Sequence, residues 1–552
     1  MTCEFYQKPL EFRNTTLPES GPVSTSNPFG ISNESVLLNS SFGFSRDEGL
    51  NTVLLPNNNG QADPRIIFDF SLSASRNHFE KSLLYATHWE KHCLPSLSNV
   101  FAHFSTRMDV CPVLFNAILA FSACNMSRKQ PETKTSDTLR DRYLTHRPHH
   151  THHLHGQMYY NSAIQKLARL SPGQYGSNRL EIFVTMILFC YMESSLCNFH
   201  GYYCHVNGVS SLLKTDIKNF KFRSSGDELL IAWEHSKYYN WWIRIHFCTL
   251  NFQSSQNALH MPLPKQDSEG PSRSRHMILL SSLCESYRLS SKAFLHWWNI
   301  HSVALESVGV DLEISYQEDY TSQLLKESKR LDEWESQLTV SELPTKPISL
   351  EIPNYRDLSD PFSGLDPIHF VSHEASVNYA YYVAARAMQS SWGRHEVHSR
   401  NLLSHDSNAN DYWTTLLLRV VRGINKSDCL RQSVYTIGIS SLPLACVLRS
   451  TDLRAGICTE TWLKELQQAN VFEEGSLPIG QNIAVVSMIN CQRRAGYDIF
   501  AISPALEYDD GHGKFDSYNN QTLSDVLVYG RDRRTSCAFS SCVPLSNDYG
   551  GE

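Results

Sequence analysis

The stretch whose reading decides the fold is Ile182-Phe183-Val184-Thr185-Met186-Ile187-Leu188-Phe189-Cys190-Tyr191-Met192, bracketed by Glu181 and Glu193. At 11 residues it is the longest apolar run in the chain. A membrane-spanning helix needs about 20, so the run reads as a helix buried inside a large soluble core. Outward from it the same helical spacing recurs on both sides. Upstream, Phe79, Leu83 and Leu84 mark a segment ending near Ser96, and Pro112 opens a second, 113–123, whose many small residues suit close helix packing. Around the run, patterns at 156–170, 179–197, 205–214 and 227–250 read as helices.

Further helices are expected at 276–303, 317–340, 368–391, 411–425, 429–450, 459–473 and 480–496. Leu324, Leu331 and Leu338 lie seven apart with Trp334 between them, which places all four on one helical face. Neither a recurring hairpin alternation nor a strand–turn–helix rhythm is visible, and no fixed repeat of 34 to 45 residues marks a solenoid. The expected fold is all-α: one large multi-helix domain over 76–504, interrupted by a polar, His-rich loop at 127–155. Residues 1–75, rich in Ser, Asn, Pro and Gly, read as a disordered N-terminal segment, and 505–552 as a mobile tail. Length alone, 552 residues, would have suggested three to four domains.

Composition narrows function by exclusion. Lys+Arg is 49 and Asp+Glu 56, a net charge of −7, so overall field does not hold the chain to DNA or to an anionic membrane. The N-terminus lacks a basic region followed by an apolar core, so no signal peptide is read. The 15 cysteines are odd in number and scattered, which fits reduced, buried thiols better than a disulfide framework.

Catalytic signatures are missing. The sequence holds no phosphate loop, no Gly-x-Gly-x-x-Gly turn and no His-Glu-x-x-His helix. Gly438-Ile439-Ser440-Ser441-Leu442 lacks the second glycine of a nucleophile elbow. Gly511-His512-Gly513 is an isolated tripeptide. Cys190, Cys197 and Cys204 are seven apart, and Cys537 and Cys542 have no partner pair. Structural zinc sites need ligands two to four residues apart, so buried apolar cysteines are the expected reading. A break near Gly201 would separate the first three. His146, His149, His150, His152, His153 and His155 cluster in the polar stretch, where a solvated insertion is expected over a metal- or pH-sensing loop. The adjacent pairs Tyr238-Tyr239, Trp241-Trp242 and Trp297-Trp298 point different ways around a helix and are expected to pack into different parts of a core. No catalytic, cofactor-binding, metal or DNA-binding residue is assigned.

Several segments, in order, resemble the fungal-specific transcription factor domain, the regulatory region of zinc binuclear cluster regulators. They are Asn116-Ala117-Ile118-Leu119-Ala120-Phe121-Ser122-Ala123, Tyr160-Asn161-Ser162-Ala163-Ile164-Gln165-Lys166-Leu167, Ile187-Leu188-Phe189-Cys190-Tyr191-Met192-Glu193 and His205-Val206-Asn207-Gly208-Val209-Ser210-Ser211-Leu212-Leu213. Leu331-Asp332-Glu333-Trp334-Glu335-Ser336-Gln337-Leu338 with Leu343-Pro344, and Asn378-Tyr379-Ala380-Tyr381-Tyr382-Val383-Ala384-Ala385-Arg386, continue the set. The resemblance implies an all-α regulatory domain in a nuclear protein that controls transcription, without enzymatic activity or cofactor. Its implied partners are other transcription regulators or co-regulators, in homo- or heterodimers, with no membrane contact. Such regulators often govern specialised-metabolite or nutrient-pathway genes. The family's six-cysteine zinc cluster has no counterpart in the first 75 residues, which contain only Cys3, so DNA binding is expected to be absent, indirect or supplied elsewhere. The alternatives are an all-α enzyme with an aromatic-lined pocket and a cytosolic interaction scaffold.

Overall fold

The computed structural model describes residues 79–107, 110–129, 148–220, 224–246, 248–255, 271–302, 317–347, 360–390, 407–432, 434–504 and 525–545. The expected N-terminal disorder, His146 and Gly511-His512-Gly513 lie outside them. The body is overwhelmingly helical, as expected, and its apolar side chains gather into two large cores.

The first core is built from α1 (79–88), α2 (Val100–Ser105), α3 (Pro112–Lys129), α4 (His150–Ala168), the short α5 (Pro172–Ser177), α6 (Arg179–Ser195) and α7 (Phe199–Phe220). Pro112 opens α3, where its missing N–H costs nothing. Ser171 and Gln174 form a reciprocal capping box at the start of α5. The apolar run lies on α6, and all of Glu181 to Ser195 is buried. That helix ends where Cys197 takes a left-handed φ of 53°, not at Gly201, which lies inside α7.

Helix α8 (Ser224–Ile245) is shared by both cores. Its Leu229, Ala232, Tyr239 and Ile243 join the first, and Tyr238, Trp241, Trp242 and Ile245 join the second. Tyr238 and Tyr239 thus point into different cores, as expected of adjacent aromatics. The second core continues through α9 (Leu250–Ser254), α10 (Pro271–Ser302), α11 (Gln317–Ser336), α12 (His373–Ser390), α13 (Ser407–Gly423), α14 (Lys426–Gln432), α15 (Ser441–Val447), α16 (Leu453–Gln468) and α17 (Ile479–Arg494). Leu331 and Trp334 bury one face of α11 in this core, whereas Leu324 packs with Leu289, Ala293 and Tyr320 in a small satellite.

Three expectations are corrected. The single helix expected at 429–450 is two, α14 and α15. The bend between them carries Gly438, where a Cβ would stand 2.9 Å from the Glu474 carbonyl oxygen. The His-rich stretch is not all loop: His150, His152, His153 and His155 lie on the first turns of α4. The tail is not wholly irregular either. After a tight pair β1 (Glu473–Glu474) and β2 (Leu477–Pro478), strands β3 (Tyr497–Pro504), β4 (Asp525–Asp532) and β5 (Ala538–Pro544) form an antiparallel sheet in that order. Val526 and Val528 of β4 alternate into the second core. Asp498 on β3 accepts from Arg531 Nη2 at 3.0 Å and Arg533 Nε at 2.8 Å, which ties the strands together. Trp298 on α10 meets Tyr529 edge to face at 5.2 Å.

Candidate functional site: buried polar junctions of the two cores

The residues that carried the family resemblance meet in space. Tyr160 on α4, Glu193 at the end of α6 and His205 on α7 belong to three different helices, yet His205 Nε2 lies 2.7 Å from the Tyr160 hydroxyl and 3.7 Å from Glu193 Oε1. Asn198 Nδ2 donates to Glu193 Oε2 at 2.8 Å. Glu193 is 1% exposed and His205 6%. Burial first, and then the neighbouring Glu193, push the Tyr160 phenol well above its ordinary range, so it remains a neutral hydrogen-bonding group. Gly201 leaves room for this cluster, since a Cβ there would stand 2.7 Å from Glu193 Cδ. Three polar groups inside an apolar core must satisfy one another, and that requirement fixes how α4, α6 and α7 sit.

The later motifs also converge. Trp334 of α11 stacks on Tyr382 of α12 with ring centroids 5.4 Å apart and planes 23° apart. The Tyr382 hydroxyl donates to Glu335 Oε2 at 2.7 Å, and the Arg386 guanidinium lies 5.2 Å from the same ring.

A second set of polar contacts runs along the seam between the cores. The Tyr191 hydroxyl of α6 lies 2.8 Å from His235 Nδ1 on α8. His235 stacks on His276 of α10 at 5.9 Å, and His276 Nδ1 donates to Asn378 Oδ1 of α12 at 2.7 Å. Burial, then the neighbouring His276, lowers the His235 pKa to about 3; burial also lowers that of His276. Both rings are therefore neutral near pH 7.

Two short segments from the far end of the sequence, around Tyr435 and over Glu473 to Leu477, plug the seam. Tyr435 and Leu477 are members of the first core. The Tyr435 hydroxyl accepts from Asn125 Nδ2 at 2.6 Å, and Asn125 Oδ1 lies 2.8 Å from His88 Nε2. Arg128 meets Glu473 at 2.5 Å, and the Tyr239 hydroxyl meets Ser476 Oγ. Glu474 accepts the backbone N–H groups of Ile439 (3.0 Å) and Ser440 (2.6 Å). The Gly438–Leu442 string is thus a carboxylate clamp, with no nucleophile elbow. Burial holds the Glu474 carboxyl above its usual range, against the opposing pull of these N–H groups.

The other sequence candidates fall as follows. Cys190 and Cys197 are buried, Cys204 is partly buried, and Cys537 and Cys542 are exposed. Among the described residues no group of three or more His, Cys, Asp or Glu side chains could hold a metal ion. The Tyr85 hydroxyl lies between His152 Nδ1 (2.9 Å) and His155 Nδ1 (2.7 Å), so the histidine face of α4 packs on α1. Trp242 Nε1 donates to Ser441 Oγ at 2.7 Å, and Trp297 packs with Phe294. A cavity lined by Ile245, His246, Gln253, Tyr287, Leu444 and Ile502, among others, contains no carboxylate. The seam histidines His235 and His276 went unnoticed in the sequence. Neither stands in a motif, and only the helix crossing brings them together.

Residues 72–256, about one third of the chain, match the family model of the fungal specific transcription factor domain. The resemblance read from the motifs is borne out over this segment, and the match supports a fungal transcriptional regulator. No curated protein and no solved structure matches the chain.

Proposed function

We propose that the protein regulates transcription of a set of pathway genes, such as a specialised-metabolite cluster, from the nucleus of a fungus. In this reading the two-core body senses state or recruits co-regulators, and DNA affinity comes from a partner or from another polypeptide segment. The observation that carries the reading is the coincidence of the family match at 72–256 with the first core, where Tyr160, Glu193 and His205 converge. The net charge of −7 fits DNA contact made through others. The body acts by binding, with no chemical step.

Deleting the gene and profiling transcripts under conditions where it is expressed is the test. The expected result is a coherent group of genes changed together, and an unchanged profile would overturn the reading. A fluorescently tagged chain is expected in the nucleus. Exclusive cytosolic signal would favour an interaction scaffold instead.

A further inference from the structure

Among the described residues five arginines are buried, and they differ in how many guanidinium nitrogens find a partner. Arg128 meets Glu473 at 2.5 Å. Arg288 forks onto Glu285 through Nε (2.8 Å) and Nη2 (2.6 Å). Arg449 donates to the Ser290 hydroxyl at 2.6 Å and the Phe500 carbonyl at 2.9 Å. Arg493 donates to the carbonyls of Val447 (2.6 Å), Asp452 (3.0 Å) and Ser450. Arg244, on the last turn of α8, is 1% exposed, and Nη1 donates to the Tyr203 hydroxyl at 2.6 Å. Its Nε and Nη2 have no hydrogen-bond partner among the described residues.

Those two nitrogens form one edge of the guanidinium, the edge that matches the two oxygens of a carboxylate. The rest of the group is enclosed by rings: Phe252 at 4.1 Å, Tyr203 at 5.1 Å and Phe199 at 5.5 Å from the guanidinium carbon. Ring faces offset part of the cost of burying the cation, but they accept nothing from an in-plane N–H edge. The walls belong to α7 (Phe199, Tyr203) and α9 (Phe252). Tyr203 is only partly buried, so the corner lies just beneath the surface.

We propose that Arg244 and the rings of Phe199, Tyr203 and Phe252 form a binding site for the carboxylate of a small organic acid, held by Nε–H and Nη2–H. Apolar rings with a single fork favour a carboxylate on an apolar body. A phosphate would leave further oxygens facing those rings. Phe252, on a helix of only five residues, is the wall that would move to admit the acid. The inference stands apart from the regulatory reading, since transcript profiling tests that one and ligand binding by the purified chain tests this one.

The test is thermal unfolding of the full chain with sodium acetate, sodium benzoate or sodium phosphate, each against sodium chloride at equal pH and ionic strength. The expected result is a saturable rise in Tm with acetate or benzoate. In Arg244→Met the half-saturating concentration is expected to rise about tenfold or more, the loss of one charged hydrogen bond or greater. Arg244→Lys keeps the charge and loses the fork, so it serves as the second variant if the methionine form does not fold, and it is expected to bind more weakly than the native chain. A response to phosphate alone, an equal response in the native chain and the variants, or no saturable response to either carboxylate would overturn the proposal.

Discussion

The two cores are built by different rules. Among the described residues the first draws nearly all its side chains from one continuous span, Tyr85 to Ile243, joined from afar by Tyr435 and Leu477, with Val434 packed against them. The second gathers helices and strands spread from Tyr238 to Leu545, including a three-stranded sheet. The family match at 72–256 coincides with the first core and stops where the second begins in earnest. A core made from consecutive helices can keep recognisable motifs in order along the chain. A core assembled from distant pieces spreads the same packing information thinly. The contrast also shows that the matched segment is not closed on itself. Its Arg128 needs Glu473, its Asn125 needs Tyr435, and its Tyr239 needs Ser476.

The largest expected effect comes from breaking that closure. Tyr435→Ala removes a buried ring whose centroid lies 4.6 Å from that of Phe121, and the partner of Asn125. It should cost about 4 kcal/mol, measured by chemical denaturation. If the cores are coupled, both lose hydrogen-exchange protection together; protection lost only over 79–243 would show two independent units. Next comes Glu473→Ala, which removes the carboxylate paired with the buried Arg128 and should cost about 3 kcal/mol. Combining it with Arg128→Met should recover much of that loss in the same assay, because the double variant leaves no unpaired charge.

Within the first core, Glu193→Ala leaves Asn198 without its acceptor and removes the acid beside His205. A loss of about 2 kcal/mol is expected. An unchanged midpoint would mean that the converging motif residues do not fix the helices.

The pH dependence comes next, of similar size for each histidine. Burial lowers the pKa of His235 to about 3 and those of His88 and His246 to about 4, below the ordinary value near 6.5. The unfolded chain therefore binds protons first. The stability these neutral rings contribute is complete above about pH 6.5 and falls as pH drops toward about 4, with a loss on the order of 2 kcal/mol per histidine by pH 5. His235→Gln should flatten the fall in Tm over that window, and an unchanged slope would remove His235 from the account. The smallest effect is reserved for the surface. Lys464 and Glu460 pair at 2.7 Å one helical turn apart, and Lys464→Ala should shift stability by less than about 0.5 kcal/mol.

Much of this was legible beforehand for a physical reason. Helices declare themselves through local spacing, so the apolar run of α6, the small-residue α3 and the Leu331–Trp334 face of α11 could be read one segment at a time. Strands β4 and β5 could not. Their alternation is short, and Gly530 and Pro544 sit within it. β4 is tied to β3 by Asp498 bridging to Arg531 and Arg533, and β5 by its pairing with β4, contacts no local window contains. The His-rich stretch misled because its histidines look hydrophilic. Tyr85 gives two of them partners, and that lets the first turns of α4 pack on α1.

The sequence by itself determined the helical class, the buried character of 182–192 and an ordered set of family motifs, because each depends on residues within a few turns of one another. Only the tertiary structure decided that Tyr160, Glu193 and His205 meet, that Tyr435 and Leu477 close the first core, and that Arg244 keeps one edge without a partner among the described residues. Hydrogen bonds and charge compensation are settled between elements far apart in the chain, and a linear pattern carries no record of which polar group will find which.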